Sequence, residues 1–230
     1  MASVNAIAPL TDTYSPSRVI EILSPILTDN RKEKIEAILD NRIGSVQVAF
    51  ENPFDIHNAF AVMRTCEALG VNDIHIVGKR PTKSKGKSTT SGAYRWIDLH
   101  YHQNLEKFLA MRDPGHLLAG AAIDGEYPLA ELPVDRPICL IFGNENEGLT
   151  TSAITACDRT YKIPMYGMTE SLNLSVSAAI SLYDILGRKR QQLGKGGDLS
   201  SSKRELIKAR CYIRSVGFNK AKEILCRFRQ

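Results

Sequence analysis

The 230 residues are 43% hydrophobic and 24% charged, enough apolar material for one domain with appendages or two small ones, as expected of a soluble globular protein. No apolar run approaches membrane-spanning length, and the opening Met1-Ala-Ser-Val-Asn-Ala-Ile7 lacks the basic-then-apolar layout of a signal peptide, so the cytoplasm is the expected location and no membrane partner is implied. The net charge of +5 is unevenly spread: Arg188 to Gln230 holds 13 Lys/Arg against 3 Asp/Glu, whereas residues 1–187 hold 17 against 22.

In chain order, residues 1–44 read as a helical extension. Ser17 can cap a helix through Leu23, and Asp29 or Asn30 can open another with Ile35, Ile38 and Leu39 on one face. From Val46 the pattern changes to short apolar strands alternating with helices. Strands are expected at Val46 to Phe50, Asp73 to Val77, Leu117 to Ile123, Ile138 to Phe142 and Thr160 to Ile163. Continuous apolar runs such as Ile138-Cys-Leu-Ile-Phe142 suit strands covered on both faces, hence an α/β domain with a mainly parallel sheet flanked by helices. Ligands in that architecture sit at the carboxyl ends of strands.

Asp55 can cap a helix that carries Phe60, Met63 and Leu69 and stops at Gly70. Ser171 can cap another that runs through Val176, Ala179, Ile180 and Leu186 to Gly187. Its small residues, Ser175, Ser177, Ala178, Ala179 and Ser181, let a second backbone approach, within the domain or across a subunit interface. Gly194 to Ser202 has the composition of a flexible linker. Ser202 with Glu205 then forms a capping-box pattern, and a last helix opens at Asn219. These boundaries divide the chain into a helical extension (1–44), an α/β domain (45–187) and a basic helical extension (188–230).

The five cysteines are odd in number and widely spaced in apolar-periodic segments, which fits a reducing compartment. Among the histidines only His100-Tyr-His102 is closely spaced. Without a Cys or carboxylate partner in a zinc-like pattern they read as strand residues, and no metal is implied. Two basic clusters remain, the tail and Lys79, Arg80, Lys83, Lys85, Lys87 and Arg95, the latter interleaved with Gly and Ser/Thr. Either alone reads as solvated surface; two on an otherwise acidic body equally suit phosphate neutralisation.

Three segments carry candidate chemistry. Phe142-Gly-Asn-Glu145-Asn-Glu-Gly148-Leu149 follows a buried strand and is neither a Walker loop nor a dinucleotide fingerprint; a structural turn and a ligand loop both explain it. Arg64 sits mid-helix, where a solvated side chain is the plain reading, and six residues do not place Asn58 and Arg64 on one helix face. Ser171 and Asn173 suit a helix start, and Ile163-Pro164 a strand end.

Taken jointly and in order, Asn58…Arg64-Thr65-Cys66, the Phe142 to Leu149 loop, and Ile163-Pro-Met running into Ser171-Leu-Asn173-Leu-Ser-Val resemble the three motifs of the SPOUT RNA 2′-O-ribose methyltransferases over about residues 45 to 187. The helical extension, Ser91-Gly-Ala-Tyr-Arg95-Trp96 and the basic tail further resemble the tRNA guanosine-18 2′-O-methyltransferase branch. The resemblance implies an S-adenosylmethionine-dependent homodimer with a C-terminal trefoil knot, which periodicity could not suggest. It implies cofactor contacts at Gly120, Gly143, Ile163 and Leu172. Arg64 is implied as the catalytic residue, with Asn58, Glu145, Ser171 and Asn173 orienting it and the ribose. A guanidinium is a poor base, its pKa exceeding about 12, so a role in holding phosphate and stabilising oxyanion charge is expected.

The substrate so implied is tRNA, with ribosomal RNA or another tRNA nucleotide as the alternative. Contacts are expected from Lys83, Lys85, Lys87, Arg95, Arg188, Lys189, Arg190, Lys203, Arg204, Lys208 and Arg210. A non-catalytic RNA-binding protein on the same fold is the competing class; it has no need of Arg64, Glu145 and Asn173 together.

Overall fold

The structure, a computed structural model, describes residues 7–53, 55–78 and 92–228. They divide into two compact units, Ser45–Lys195 and a second in which residues up to Gly44 join Gly196 onwards. Each is described by itself.

The larger unit is a seven-stranded sheet with helices on both faces. Its strands are β1 (Val46–Glu51), β2 (Asp73–Val77), β3 (Asp98–His102), β4 (Leu117–Ala121), β5 (Tyr127–Pro128), β6 (Ile138–Phe142) and β7 (Arg159–Lys162). Their order is β3-β2-β1-β6-β4-β7-β5, every neighbouring pair parallel. All five residues of β6 are buried, as its unbroken apolar run requires. Burying each large side chain contributes roughly 1.5–3 kcal/mol, more than the differences in strand propensity, so patterning decides. β4 ends two residues early: Ile123 is exposed and lies beyond the sheet.

The helices of the first unit in the chain, Ala8–Thr13 (α1), Pro16–Leu23 (α2) and Asp29–Asp40 (α3), precede the sheet. Those of the sheet unit are α4 (Ile56–Leu69), α5 (Leu105–Met111), α6 (Thr151–Ala156) and α7 (Leu174–Leu193). On one sheet face, Ala49, Leu118, Cys139 and Ile141 pack with Phe108 of α5 and Ala153 of α6. On the other, Phe50 and Phe142 stack at 6.1 Å, and Tyr161 donates to Ser181 of α7 at 2.9 Å. Burial raises the Tyr161 hydroxyl's pKa, keeping it a neutral donor. Small residues on α7 therefore serve packing inside the unit at this point.

Several helix ends differ from expectation by one competing capping residue. Asp55 caps α4, whose Gly70 ends it at φ 90°. The caps elsewhere are Ser15 rather than Ser17, Thr28 rather than Asp29 or Asn30, Asn173 rather than Ser171, and Ser200 rather than Ser202. In each, the observed residue accepts a backbone N–H two or three positions on, satisfying an orphan donor of the first turn. α7 does not stop at Gly187 but continues to Leu193, with Gly194 as its left-handed cap at φ 62°. An interior glycine costs only about 1 kcal/mol. Arg188, Lys189 and Arg190 offset it by reaching acceptors across the unit.

The basic tail shares a core with the N-terminal helices. α8 (Ser201–Val216) and α9 (Phe218–Arg227) join α1–α3, with Val19, Leu23, Ile35 and Leu39 buried alongside Ile207, Tyr212, Ile213 and Leu225. The Gly-rich segment before α8 is held as well: Asp198 Oδ1 accepts from Gly44 N at 2.5 Å, and Asp198 N donates to the Arg42 carbonyl at 3.1 Å. Gly197 lies where a Cβ would strike the backbone of Asp40 and Arg42. Its glycine serves close approach rather than flexibility.

Candidate active site

Three segments distant in sequence meet at the carboxyl edge of the sheet. After β6, Asn144 and Gly148 close a tight loop through two backbone bonds of 2.9 and 2.8 Å, and Asn144 Oδ1 accepts from the N–H groups of Asn146 and Glu147. Gly143 sits where a Cβ would collide with Gly148, which explains its glycine. The closed loop turns Glu145 back toward α4. Glu145 Oε1 accepts from Asp55 N at 3.2 Å and from Asn58 Nδ2 at 3.1 Å. Asn58 Oδ1 in turn accepts from Asn173 Nδ2 at 3.1 Å. Asn173 Oδ1, the cap of α7, accepts from Ser175 N and Oγ at 2.8 and 2.6 Å. Glu145, Asn58 and Asn173 thus form one hydrogen-bonded chain whose amide orientations are fixed end to end.

Beside Asn173, a groove of about 110 Å³ lies among Ala121 to Ile123 beyond β4, Tyr161, Ile163 and Met165 at the end of β7, Ser171, Leu172, and Ser177 of α7. Of the expected cofactor residues, Ile163 and Leu172 line it directly. Gly120 and Gly143 do not: Gly120 is buried against Leu149 and Cys157, with no room for a Cβ. Ala121, Met165 and Ser177 were not expected at the groove; Ser177 stood out in the sequence only as one of the small residues of α7. Met165 lay within the quoted Ile163-Pro164-Met165 segment, whereas Ser177 became legible only once α7 was placed.

Arg64 projects from α4 on a different face from Asn58 and is exposed, and its side chain has no hydrogen bond or ion pair among the described residues. Ser171 is exposed on the groove rim. The geometry therefore joins Asn58, Glu145 and Asn173, puts Ser171 next to them, and leaves Arg64 presented outward.

The family of this arrangement follows from its match to known proteins. The SpoU rRNA Methylase family matches residues 45–183. The chain belongs to that family. As a SpoU methylase it is an RNA methyltransferase, and the sheet with its carboxyl-edge loops is the fold of the family. It is 32% identical over 174 residues to the tRNA (guanosine(18)-2′-O)-methyltransferase of Borreliella burgdorferi, covering 75% of this chain and 80% of that one. Among solved structures, the A. aeolicus TrmH/SpoU tRNA modifying enzyme aligns with a TM-score of 0.72 and 27% identity, over 82% of this chain and 98% of that chain. An AdoMet-bound rRNA methyltransferase from Sinorhizobium meliloti aligns with a TM-score of 0.59 and 25% identity, over 68% of this chain and 60% of that one.

The expected RNA-contacting cations of this SpoU methylase fall into distinct groups. Lys83, Lys85 and Lys87 lie outside the described residues. Arg95 is exposed beside Tyr94. Arg188 holds Asp184 and the carbonyls of Leu129 and Leu132. Lys189, 6% exposed, donates to the Val134 carbonyl, and Arg190 to that of Leu69. All three side chains are held by the unit's own acceptors. Arg204 binds Glu36 and Asp40, and Lys208 also binds Glu36. Burial raises the Glu36 pKa, but Lys208 and Arg204 more than offset it and hold the carboxyl below its ordinary value. Lys203 and Arg210 are half-buried. Lys220 and Lys222 on α9, not singled out before, are exposed. Among the described residues no group of three His, Cys, Asp or Glu could hold a metal ion, and no helix is long and apolar enough to cross a membrane.

Proposed function

We propose that this SpoU methylase transfers the methyl group of S-adenosylmethionine to the ribose 2′-oxygen of a guanosine in tRNA, at position 18 of the D-loop. The observation that carries the reading is the Glu145–Asn58–Asn173 chain set beside the groove. Relatives named tRNA (guanosine(18)-2′-O)-methyltransferase support the substrate.

The groove's residues fit the cofactor. Ala121, Ile123, Ile163, Met165 and Leu172 offer an apolar slot for adenosine, and Ser171 and Ser177 offer hydroxyls at its rim. When bound, the cofactor supplies an electrophilic methyl on a sulfonium. Asn173 and Ser171 orient the ribose at the groove mouth. Glu145 and Asn58 fix Asn173, so that its amide costs no reorganisation when the ribose arrives. Arg64, exposed and unengaged, takes a substrate phosphate and stabilises charge developing on the 2′-oxygen.

The reading includes a homodimer and a C-terminal trefoil knot. The dimer is supported by Val176, Ile180 and Tyr183, an exposed apolar stripe at positions i, i+4 and i+7 of α7. The knot is supported by family membership and by the groove's construction from three separate segments after β4 and β7. Lys220 and Lys222 of α9, Arg95, and Lys83, Lys85 and Lys87 are the cations assigned to tRNA phosphates.

Incubating the protein with labelled methyl donor and either total tRNA or ribosomal RNA, then mapping the modified nucleotide, tests this. Label is expected on a D-loop guanosine ribose; label in ribosomal RNA alone removes the tRNA assignment. Arg64→Ala is expected to abolish transfer while leaving cofactor affinity near that of the parent, as measured by calorimetry. Retained turnover removes Arg64 from the chemistry.

A further inference from the structure

Two consecutive residues at the carboxyl end of β1 hold the Glu145 loop at both of its ends. Downstream, the Glu51 side chain, 3% exposed, accepts from Thr150 N at 2.9 Å with one oxygen and from the Thr150 hydroxyl at 2.7 Å with the other. Upstream, the Asn52 carbonyl accepts from Asn144 Nδ2 at 2.9 Å. Asn52 is, among the described residues, the non-glycine residue with positive φ, at 46°. Asparagine tolerates that conformation better than most side chains. Gly78 makes room for it, since a Cβ there would strike the Asn52 amide.

Between these anchors the Asn144–Gly148 bonds close the loop, so it is carried as one piece. Its tip, Glu145, meets Asp55 N at the cap of α4 and Asn58 Nδ2 in the first turn of that helix, just after the chain leaves β1. Residues 51 to 58 therefore hold both ends and the tip of a loop some 90 positions away. The register of β1 with β6 already runs from Val46↔Ile138 to Phe50↔Phe142, so Glu51 is not needed to align the sheet. Burying a carboxylate is costly unless its oxygens are hydrogen-bonded, and both of these oxygens are directed at the loop end.

We infer that Glu51 and Asn52 are positioning residues for methyl transfer, a two-point clamp that places Glu145 and, through Asn58, Asn173. The inference rests on the methyl-transfer reading of the site. A plain anchor for α6, which Thr150 caps through Ala153 N, would instead show itself in stability alone.

The test compares Glu51→Ala with Glu51→Gln in the full chain. Glutamine keeps one acceptor for Thr150 N, and its amide can donate to the Thr150 hydroxyl, so the geometry survives loss of the charge. Glu51→Ala is expected to lower kcat about a hundredfold with KM for RNA and cofactor Kd unchanged. Glu51→Gln is expected to stay within about threefold of the parent, equivalent to well under the 1.4 kcal/mol of a tenfold change.

Amide hydrogen exchange provides a readout free of turnover. In Glu51→Ala it should accelerate at residues 144–150 and stay slow in β6. Parental exchange at 144–150, parental kcat, or a loss that falls on cofactor Kd overturns the clamp. Should Glu51→Ala not fold, Thr150→Val, which removes the hydroxyl, is set against Thr150→Ser, which keeps it, with the same expectations. A parent that methylates no RNA removes the functional reading, and the exchange data still decide whether Glu51 holds the loop.

Discussion

At the scale of single residues, Asn58 has the most exacting position. Its amide must donate to Glu145 and accept from Asn173 at once, which few other side chains can do. Asn58→Asp keeps the size and the acceptor but sets a second carboxylate against Glu145. Two carboxylates at hydrogen-bond distance repel, so the pair takes up a shared proton at a higher pH than a lone carboxylate would, and above that pH it stays doubly charged and pushed apart. The variant should transfer methyl about a hundredfold more slowly than the parent near neutral pH. The deficit should shrink as the pH is lowered and the shared proton restores the hydrogen bond. Single-turnover rates of the two proteins against pH check this, and a constant ratio contradicts it. The sequence motifs pointed to Asn58, Glu145 and Asn173 together, yet Glu51 and Asn52 were not visible as site residues. Their partners Thr150 and Asn144 lie 99 and 92 positions away, and no local pattern records such a bond.

Among elements, the edge pair β2–β3 carries a titration. His75 accepts the Nε2–H of His102 at Nδ1, 3.0 Å away, and donates from Nε2 to Gln47 Oε1 at 3.2 Å. His100 stacks on it at 4.9 Å and itself binds Asp73. Burial first, and then the charge His100 and His102 would carry, pushes the His75 pKa down to about 3; burial likewise lowers that of His102. An unfolded histidine titrates near 6.5, so between these values the unfolded chain binds a proton that the folded one refuses. The contribution is fully present above about pH 6.5 and is lost as the pH falls, by about 1.4 kcal/mol per unit for one such group. Urea midpoints across that range should show the slope in the parent and a shallower one in His75→Gln; equal slopes contradict it. The sequence showed His100 and His102 as strand residues, but not that His75 would lie across from them, because register is a property of two strands. The same limit applies to helix caps: Ser171 and Asn173 are both good caps, and the choice fell to the one bonded to Asn58.

For the whole molecule, β6 and α4 were legible because burial on both faces and a capped amphipathic repeat leave local marks. The fate of the basic tail was not. Composition gave its charge, but not that Arg188 to Arg190 would meet carbonyls at Leu129, Leu132, Val134 and Leu69, or that Arg204 and Lys208 would meet Glu36. Val176, Ile180 and Tyr183 form an exposed apolar stripe on α7. Ile180→Arg should leave the fold intact and convert the proposed dimer to a monomer in sedimentation; a parent that is itself monomeric removes the dimer, and a variant that stays dimeric moves the interface elsewhere. The most direct test of the proposed chemistry is methyl transfer to two otherwise identical tRNAs, one carrying guanosine and the other 2′-deoxyguanosine at position 18. Transfer to the first and none to the second is the expected result; equal transfer to both would contradict ribose methylation at that nucleotide.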